Sequence, residues 1–274
     1  MKFGYVCTNF NNSEFTVKAV RTLSDNKEHQ HQIAVVDNCS NLENIRILQD
    51  LEKINSNVKV IFNDENEGYF RGLNRGIQHI RENYPDIEWM VVGNNDLEFP
   101  GDFSDKLAAN ANRLAAHAVV SPDVVTVDGV HQNPHVISRI SRMREIFYDL
   151  YYSNYYLGIL LYRLAALLGN LARRGDEDEW RVGRPIYQGH GSCYLLGPRF
   201  FKQFSELWAP TFLMSEEFFL SKQLGDVGQQ VYYDPSIQVV HHWHASLAKL
   251  PSKRRWQYAR EAHREYRKHV KVFG

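Results

Sequence analysis

One pattern repeats through the first hundred residues: a short apolar run, a turn, then an amphipathic helix. Lys2–Thr8, Gln32–Val36, Val58–Phe62 and Glu88–Gly93 read as strands, and Glu14–Ser24, Glu43–Ile54 and Gly72–Asn83 as helices between them. In the second helix Ile45, Leu48, Leu51 and Ile54 recur at spacings of three and four, which puts them on one buried face. Strands that are apolar on both sides need cover on both faces. Such strands, each followed by a helix, therefore predict crossover units and a mainly parallel sheet, an α/β fold. Ligands of such sheets bind in the crevice beyond the carboxyl ends of the strands. The residues just after each strand are where chemistry is expected.

Those residues are polar. The second strand runs into Asp37-Asn38-Cys39-Ser40, where a carboxylate either accepts hydrogen bonds from a ribose or base edge or simply closes a turn. The third leads to Asn66-Glu67-Gly68-Tyr69-Phe70-Arg71-Gly72-Leu73-Asn74-Arg75-Gly76. Glycines entering a helix allow close backbone approach, the helix N-terminus favours a phosphate, and Arg71 or Arg75 adds charge-assisted contacts. The run matches neither GxGxxG nor a Walker A loop, which argues against a dehydrogenase or a P-loop enzyme. After the fourth strand comes Asn94-Asn95-Asp96, with Asp96 able to hold a hard divalent cation.

Further along, Ser215 is an expected N-cap, placing Glu216 and Glu217 in a first helical turn among apolar neighbours. Neighbours on a helix diverge by about 100°, so one of the two faces a cleft. His241, His242 and His244 crowd a strand exit, a pattern suited to a ligand set; without nearby cysteines it does not suit a closed structural zinc site.

The remainder divides by composition. Residues 118–133 read as a strand and turn, and Val136–Arg174 as helical, aromatic and Arg-rich, closed by the acidic run Asp176–Glu179. From Pro185 short strands and helices return, ending in a basic helix, Pro251–Lys271, with Trp256, Tyr258 and Tyr266 interleaved. The expected organisation is 1–133, 134–184 and 185–274. Tyr155–Ala172 approaches the roughly 20 apolar residues that span a bilayer. Arg163 at its middle and the flanking arginines instead suggest a helix lying in the membrane interface.

Lys and Arg number 32, as do Asp and Glu, so the net charge is zero and a bulk nucleic-acid coat is excluded. Three separated cysteines form no CxxC pair, which suits a reducing compartment. The start, MKFGYVCTNF, lacks a signal peptide's apolar core, so the expected location is cytoplasmic.

Taken in order, VVDNCS, NEGYFRGLNRG, WMVVGNND, GSCYLLGPRFF, MSEEFFLSKQL and DPSIQVVHHWHAS resemble family 2 glycosyltransferases of the GT-A fold. The likeness is greatest to the rhamnosyltransferase-like branch that builds bacterial surface polysaccharides such as O-antigen. The resemblance implies a mainly parallel Rossmann-like sheet with a helical insertion and a C-terminal basic helix. It further implies inverting transfer from a UDP- or dTDP-sugar, with Mg2+ or Mn2+, to a saccharide or lipid-linked acceptor. Peripheral contact with an anionic membrane is expected, and no nucleic-acid partner. By that resemblance Thr8, Asn9 and Asp37 contact the nucleoside, while Asn66, Gly68, Phe70, Arg71, Asn74 and Asn95 lie near the diphosphate and sugar. Asp96, His241 and His244 are the implied metal ligands. Glu217, ahead of Glu216, is the implied catalytic base. Asn94 replaces the first acid of the family's metal triplet, which keeps open a catalytically silent sugar-nucleotide or saccharide-binding protein on the same fold.

Overall fold

The computed structural model describes residues 1–26, 28–167, 179–242 and 253–272. Its sheet begins as the alternation predicts. Strands β1 (Lys2–Asn9), β2 (Gln30–Asp37), β3 (Val58–Phe62) and β4 (Trp89–Asn94) are all parallel, in spatial order β3-β2-β1-β4. Helices α1 (Ser13–Ser24), α2 (Leu42–Ile54) and α3 (Tyr69–Asn83) make the crossovers. Successive side chains of a strand point to opposite faces, and β1 shows the consequence. Phe3, Tyr5 and Cys7 join one core with Leu23, Leu48 and Leu107, while Val6 joins the other with Leu73, Ile77 and Ile80.

Beyond β4 the sheet is mixed. Strand β5 (Leu97–Glu98) follows a turn at Asn95-Asp96, then α4 (Phe103–Leu114) and β6 (Val119–Thr126). Later come β7 (Arg184–Ile186), β8 (Cys193–Leu196) and β9 (Val231–His241), completing the order β3-β2-β1-β4-β8-β6-β9-β5 with β7 on β9. Strand β8 is antiparallel to both β4 and β6, whereas β6 and β9 are parallel. Most of the paired length is parallel, so the whole is a mixed α/β fold with a mostly parallel central sheet flanked by helices.

Helix α3 starts at Tyr69, three residues before the predicted Gly72. Gly68, at φ +90°, is its N-cap, a backbone conformation that glycine adopts without steric penalty. A methyl added to Gly72 would lie 2.7 Å from Thr8 Cγ2, and one on Gly76 would overlap Val6. These two glycines therefore serve close helix–sheet packing and not ligand approach.

Two helices, α5 (Arg142–Ser153) and α6 (Tyr155–Leu167), fill the part of the central segment that is described. The last five residues of the apolar stretch 155–172 lie outside the described residues, as do Arg173, Arg174 and most of the acidic run 176–179. No helix among the described residues is long and apolar enough to cross a membrane.

Helix α7 (Pro198–Gln203) follows β8, and α8 (Glu216–Gly225) precedes β9. The basic segment forms α9 (Lys253–Tyr266), and its Trp256 and Tyr266 are buried. It is tied to α5 by Arg267, which lies 2.8 Å from Glu145 Oε2 and 2.6 Å from Asp149 Oδ1, and by His263 Nε2 at 2.8 Å from Asp149. A basic–aromatic pattern here is thus in part an ordinary buried helix face.

Candidate functional site

The exits of β1, β2 and β4 meet in a buried polar knot. Asn9 donates to Asp37 Oδ1 at 2.8 Å and to Ser40 Oγ at 3.1 Å, and its own oxygen accepts from Thr16 Oγ1 at 2.8 Å and from Asn95 at 3.1 Å. The Ser40 N–H donates to Asp37 Oδ2 at 2.9 Å, and Asn95 donates to Asn12 and Thr16, both at 2.8 Å. Buried amides and carboxylates require such partners. Asn9, Asp37 and Asn95 are at most 5% exposed, so in this state they brace the strand ends against one another. Thr8, part-exposed, lies beside them at the end of β1.

The start of α3 behaves in the same way. Asn66 accepts from the Gly68 N–H at 3.0 Å, and Asn38 donates to the Gly68 carbonyl at 3.0 Å. Asn74 clamps a distant loop, donating to the Leu207 carbonyl at 2.7 Å and accepting from its N–H at 2.8 Å. Phe70 is 2% exposed and packs in the core with Leu73 and Leu220, so the structure does not bring it to the crevice. Arg71 is exposed, contacting the Ala209 carbonyl at 3.4 Å and lining an open cavity with Glu67 and Arg75.

Asp96 and His241 are brought together. Residues 97–98 pair antiparallel with 240–241, which sets the β4–β5 turn against the end of β9. Asp96 Oδ1 lies 3.2 Å from His241 Nε2 and is buried with no hydrogen-bond partner. His241 Nδ1 is 2.6 Å from Gln132 Oε1. A carboxamide oxygen only accepts, so Nδ1 donates to it, and Nε2 is left facing the Asp96 carboxylate and, at 3.3 Å, the Asn94 amide nitrogen.

With no proton on Nε2, it and the carboxylate oxygen are two acceptors at that distance, and a cation between them relieves their repulsion. Cis ligands about 2.1 Å from an octahedral ion stand about 3.0 Å apart, close to this spacing. The carboxylate suits Mg2+ or Mn2+ when phosphate oxygens or water complete the shell, and the imidazole tips the pair toward a transition ion such as Mn2+. Two ligands do not hold an ion alone, and among the described residues no group of three His, Cys, Asp or Glu side chains is placed to do so. His242 is turned away, at 2.7 Å from Glu98. His244 lies outside the described residues.

The glutamate pair opens α8. Met214 and Ser215, just ahead of α8, both have positive φ, 76° and 65°. Non-glycine residues held there cost about 1–3 kcal/mol each, and such strain clusters at functional sites. Ser215 occupies the N-cap position but makes no side-chain cap bond; Glu216 Oε1 accepts from the Met214 N–H instead, at 2.9 Å. That bond turns Glu216 back on its own loop. Burial first, then the Glu217 charge, pushes the Glu216 carboxyl up to about 8.

Glu217 points the other way, into a cavity of about 260 Å3. Its carboxylate packs on Gly191, where an added methyl would sit 2.5 Å from Oε1. Because Glu216 is acidic only above its usual range in the folded state, its stabilising contribution is complete below about pH 4.5 and is lost as pH rises toward 8. Glu216→Gln should therefore raise the melting temperature at pH 8 and leave it nearly unchanged at pH 5. An equal shift at both values would contradict the assignment.

Several residues that the sequence did not single out join these two halves. Tyr69 donates to the Gly191 carbonyl at 2.8 Å, and the Asn94 N–H donates to the Ser192 carbonyl at 2.8 Å. The segment before β8 is thus strung between the glutamate side and the Asp96 side. Tyr69 is raised well above the usual phenol range by burial first, and also by the charges of Glu216, Asp96 and Glu217. His190, between Gly189 and Gly191, lies with ring centroids 5.7 Å from His241. A histidine between glycines before an apolar strand was the available signal. Gln132, on a turn after β6, carried none.

Comparison with known proteins gives a consistent result. The family model described as glycosyl transferase family 2 matches residues 6–166. No curated protein matches the chain. Among solved structures, GalNAc-T7 with UDP, GalNAc and Mn2+ superposes with a TM-score of 0.58 at 13% identity, covering 93% of this chain and 47% of that one. The mannosyltransferase PcManGT from Pyrobaculum calidifontis, in complex with GDP-Man and Mn2+, gives 0.54 at 12% identity over 89% of this chain and 57% of its own. S. aureus TarS gives 0.53 at 11% identity over 89% and 37%. The chain therefore spans between 37% and 57% of the length of these proteins, and at such identities the likeness is one of fold.

Proposed function

The chain belongs to glycosyl transferase family 2, and from that premise we propose that it is an inverting, metal-assisted glycosyltransferase. It moves a sugar from a UDP- or dTDP-sugar to a saccharide or lipid-linked acceptor. The observation that carries this reading is the orphaned Asp96 Oδ1 facing His241 Nε2 at 3.2 Å. A cation-ready pair at the strand ends, together with a half-buried carboxylate turned into a cavity, is what displacement at an anomeric carbon needs.

Asp96 and His241 would hold the cation, with Gln132 orienting the His241 ring through Nδ1. When bound, the cation neutralises charge on the departing diphosphate. Glu217 accepts the proton of the acceptor hydroxyl as its oxygen bonds to the anomeric carbon. The bond from that carbon to the diphosphate oxygen breaks, and the nucleoside diphosphate leaves with the electron pair. Attack from the opposite face inverts the configuration. Among the described residues no hydrogen bond reaches the Glu217 carboxylate, which leaves it free for the hydroxyl. The knot of Asn9, Asp37 and Asn95 shapes the nucleoside end, with Thr8 beside it, and Arg71 lies at the outer edge of α3.

The branch that builds bacterial surface polysaccharides with a rhamnosyltransferase-like enzyme is the assignment within the family. Its acceptors are lipid-linked, and peripheral contact at the cytoplasmic membrane face is part of the proposal. Helix α6 supports that contact, because Tyr156, Leu160 and Leu164 are 73%, 53% and 47% exposed at helical spacing. Thermal unfolding against UDP-, dTDP- and GDP-sugars, with and without Mn2+, tests the function. One donor class should raise the melting temperature, by an amount equivalent to about 2.7 kcal/mol at about 100 times Kd, and only with the cation. No shift with any donor would overturn the reading.

A further inference from the structure

The cavity beside Glu217 is walled by the segment that carries no recognised motif. Tyr148 and Tyr152 of α5, Gln188, and His263 and Tyr266 of α9 surround it together with Glu217. The rings form a continuous run: centroids are 6.4 Å apart from Tyr148 to Tyr152, 4.7 Å from Tyr152 to His263 and 5.8 Å from His263 to Tyr266. Each α9 ring is pinned by an acid of α5. Tyr266 donates to Glu145, and His263 Nε2 lies 2.8 Å from Asp149. The wall is therefore rigid before any ligand arrives.

Its chemistry selects a ligand class. Aromatic faces favour apolar C–H surface, and Gln188 and Glu217 at the cavity edge suit hydroxyl groups. Among the described residues no Lys or Arg lines the cavity. His263 is held below its usual range, by burial first, so it supplies no positive charge at neutral pH. Arg267 lies behind the Tyr266 ring, 5.2 Å from its centroid, so an anionic ligand would find no basic side chain among the described lining residues and would face Glu217. The volume, about 260 Å3, lies just under the roughly 300–1,000 Å3 of sites for drug-sized ligands, which suits one ring and not a chain of them.

We propose that this cavity is the acceptor subsite and takes a single neutral pyranose ring, its C–H face on Tyr148 and Tyr152 and one hydroxyl offered to Glu217. The proposal rests on Glu217 as the base of the transfer reaction. It gives the helical segment a task that no motif in it announces.

Saturation-transfer NMR tests it on the full chain with UDP and Mn2+ present. The probes are the methyl pyranosides of glucose, galactose, mannose and rhamnose, with methyl glucuronide as the anionic comparison. At least one neutral pyranoside should receive saturation on its ring C–H protons. Tyr148→Phe should keep that signal, whereas Tyr148→Ala should weaken binding about fivefold, the size of one lost aromatic contact. Should Tyr148→Ala fail to fold, Tyr148→Leu carries the same expectation.

Silence from all four neutral probes overturns the proposal, as does equal binding of the glucuronide or full binding by the folded Tyr148→Ala variant. A UDP-sugar thermal shift that persists while the pyranosides stay silent would reject the subsite and leave the transfer reaction standing. Loss of the shift itself would reject the transfer reaction.

Discussion

Glu217→Gln should lower the transfer rate by about 10²–10⁴-fold while leaving donor affinity unchanged. The carboxylate packs on Gly191 and lines the cavity beside α5 and α9, while the proposed cation pair is Asp96 and His241, so the proposed contact of Glu217 with the reaction is the acceptor hydroxyl. Glutamine keeps the shape that packs on Gly191 and removes only the capacity to take a proton. A loss confined to kcat, with the sugar-nucleotide thermal shift intact, is the signature of a missing base. A variant that transfers at the wild-type rate would exclude Glu217. Its neighbour offers an internal control, because Glu216 is committed to the Met214 N–H and its substitution should act chiefly on stability.

Gly68→Ala should cost about 2–4 kcal/mol of stability, summed from backbone strain at positive φ and a steric overlap that cannot relax cheaply. Gly68 holds φ at +90°, and a methyl there would run into the Phe212 carbonyl oxygen, which belongs to backbone and cannot swing aside. The same oxygen accepts from the Tyr69 N–H at 3.3 Å. The overlap would therefore push apart the start of α3 and the loop that leads into the strained Met214-Ser215 pair and the two glutamates. Denaturant unfolding reads the cost directly. A variant as stable as wild type would show that this contact does not hold the loop.

Periodicity made the parallel half of the sheet legible, because buried strands and amphipathic helices differ in apolar spacing. The boundary of α3 was not, since Gly68 reads equally well as a loop residue until its φ is known. Placement after strands likewise found Asp96 and His241, but their juxtaposition depends on the pairing of β5 with β9, a contact across more than a hundred residues. Phe70 illustrates the reverse. It sits in a glycine-rich run beside ligand-like residues, yet one helical turn directs it into the core. Asp37 and Asn95 stand just after strands in the sequence and Asn9 comes from the family resemblance, while their mutual hydrogen bonds are a property of three strands converging that no single segment shows. The insertion was illegible for a simpler reason: Tyr148 and Tyr152 acquire meaning only opposite His263 and Tyr266.

The central claim is that Asp96 and His241 hold a cation that a sugar nucleotide shares. Its most direct test is the Mn2+ dependence of the UDP-sugar thermal shift in the wild type and in Asp96→Asn. Asparagine replaces the orphaned oxygen's charge with a neutral amide of the same size, so the fold should persist. The wild type should show a shift that requires Mn2+, and the variant should lose it. An equal shift in both proteins, or one indifferent to Mn2+, would contradict it.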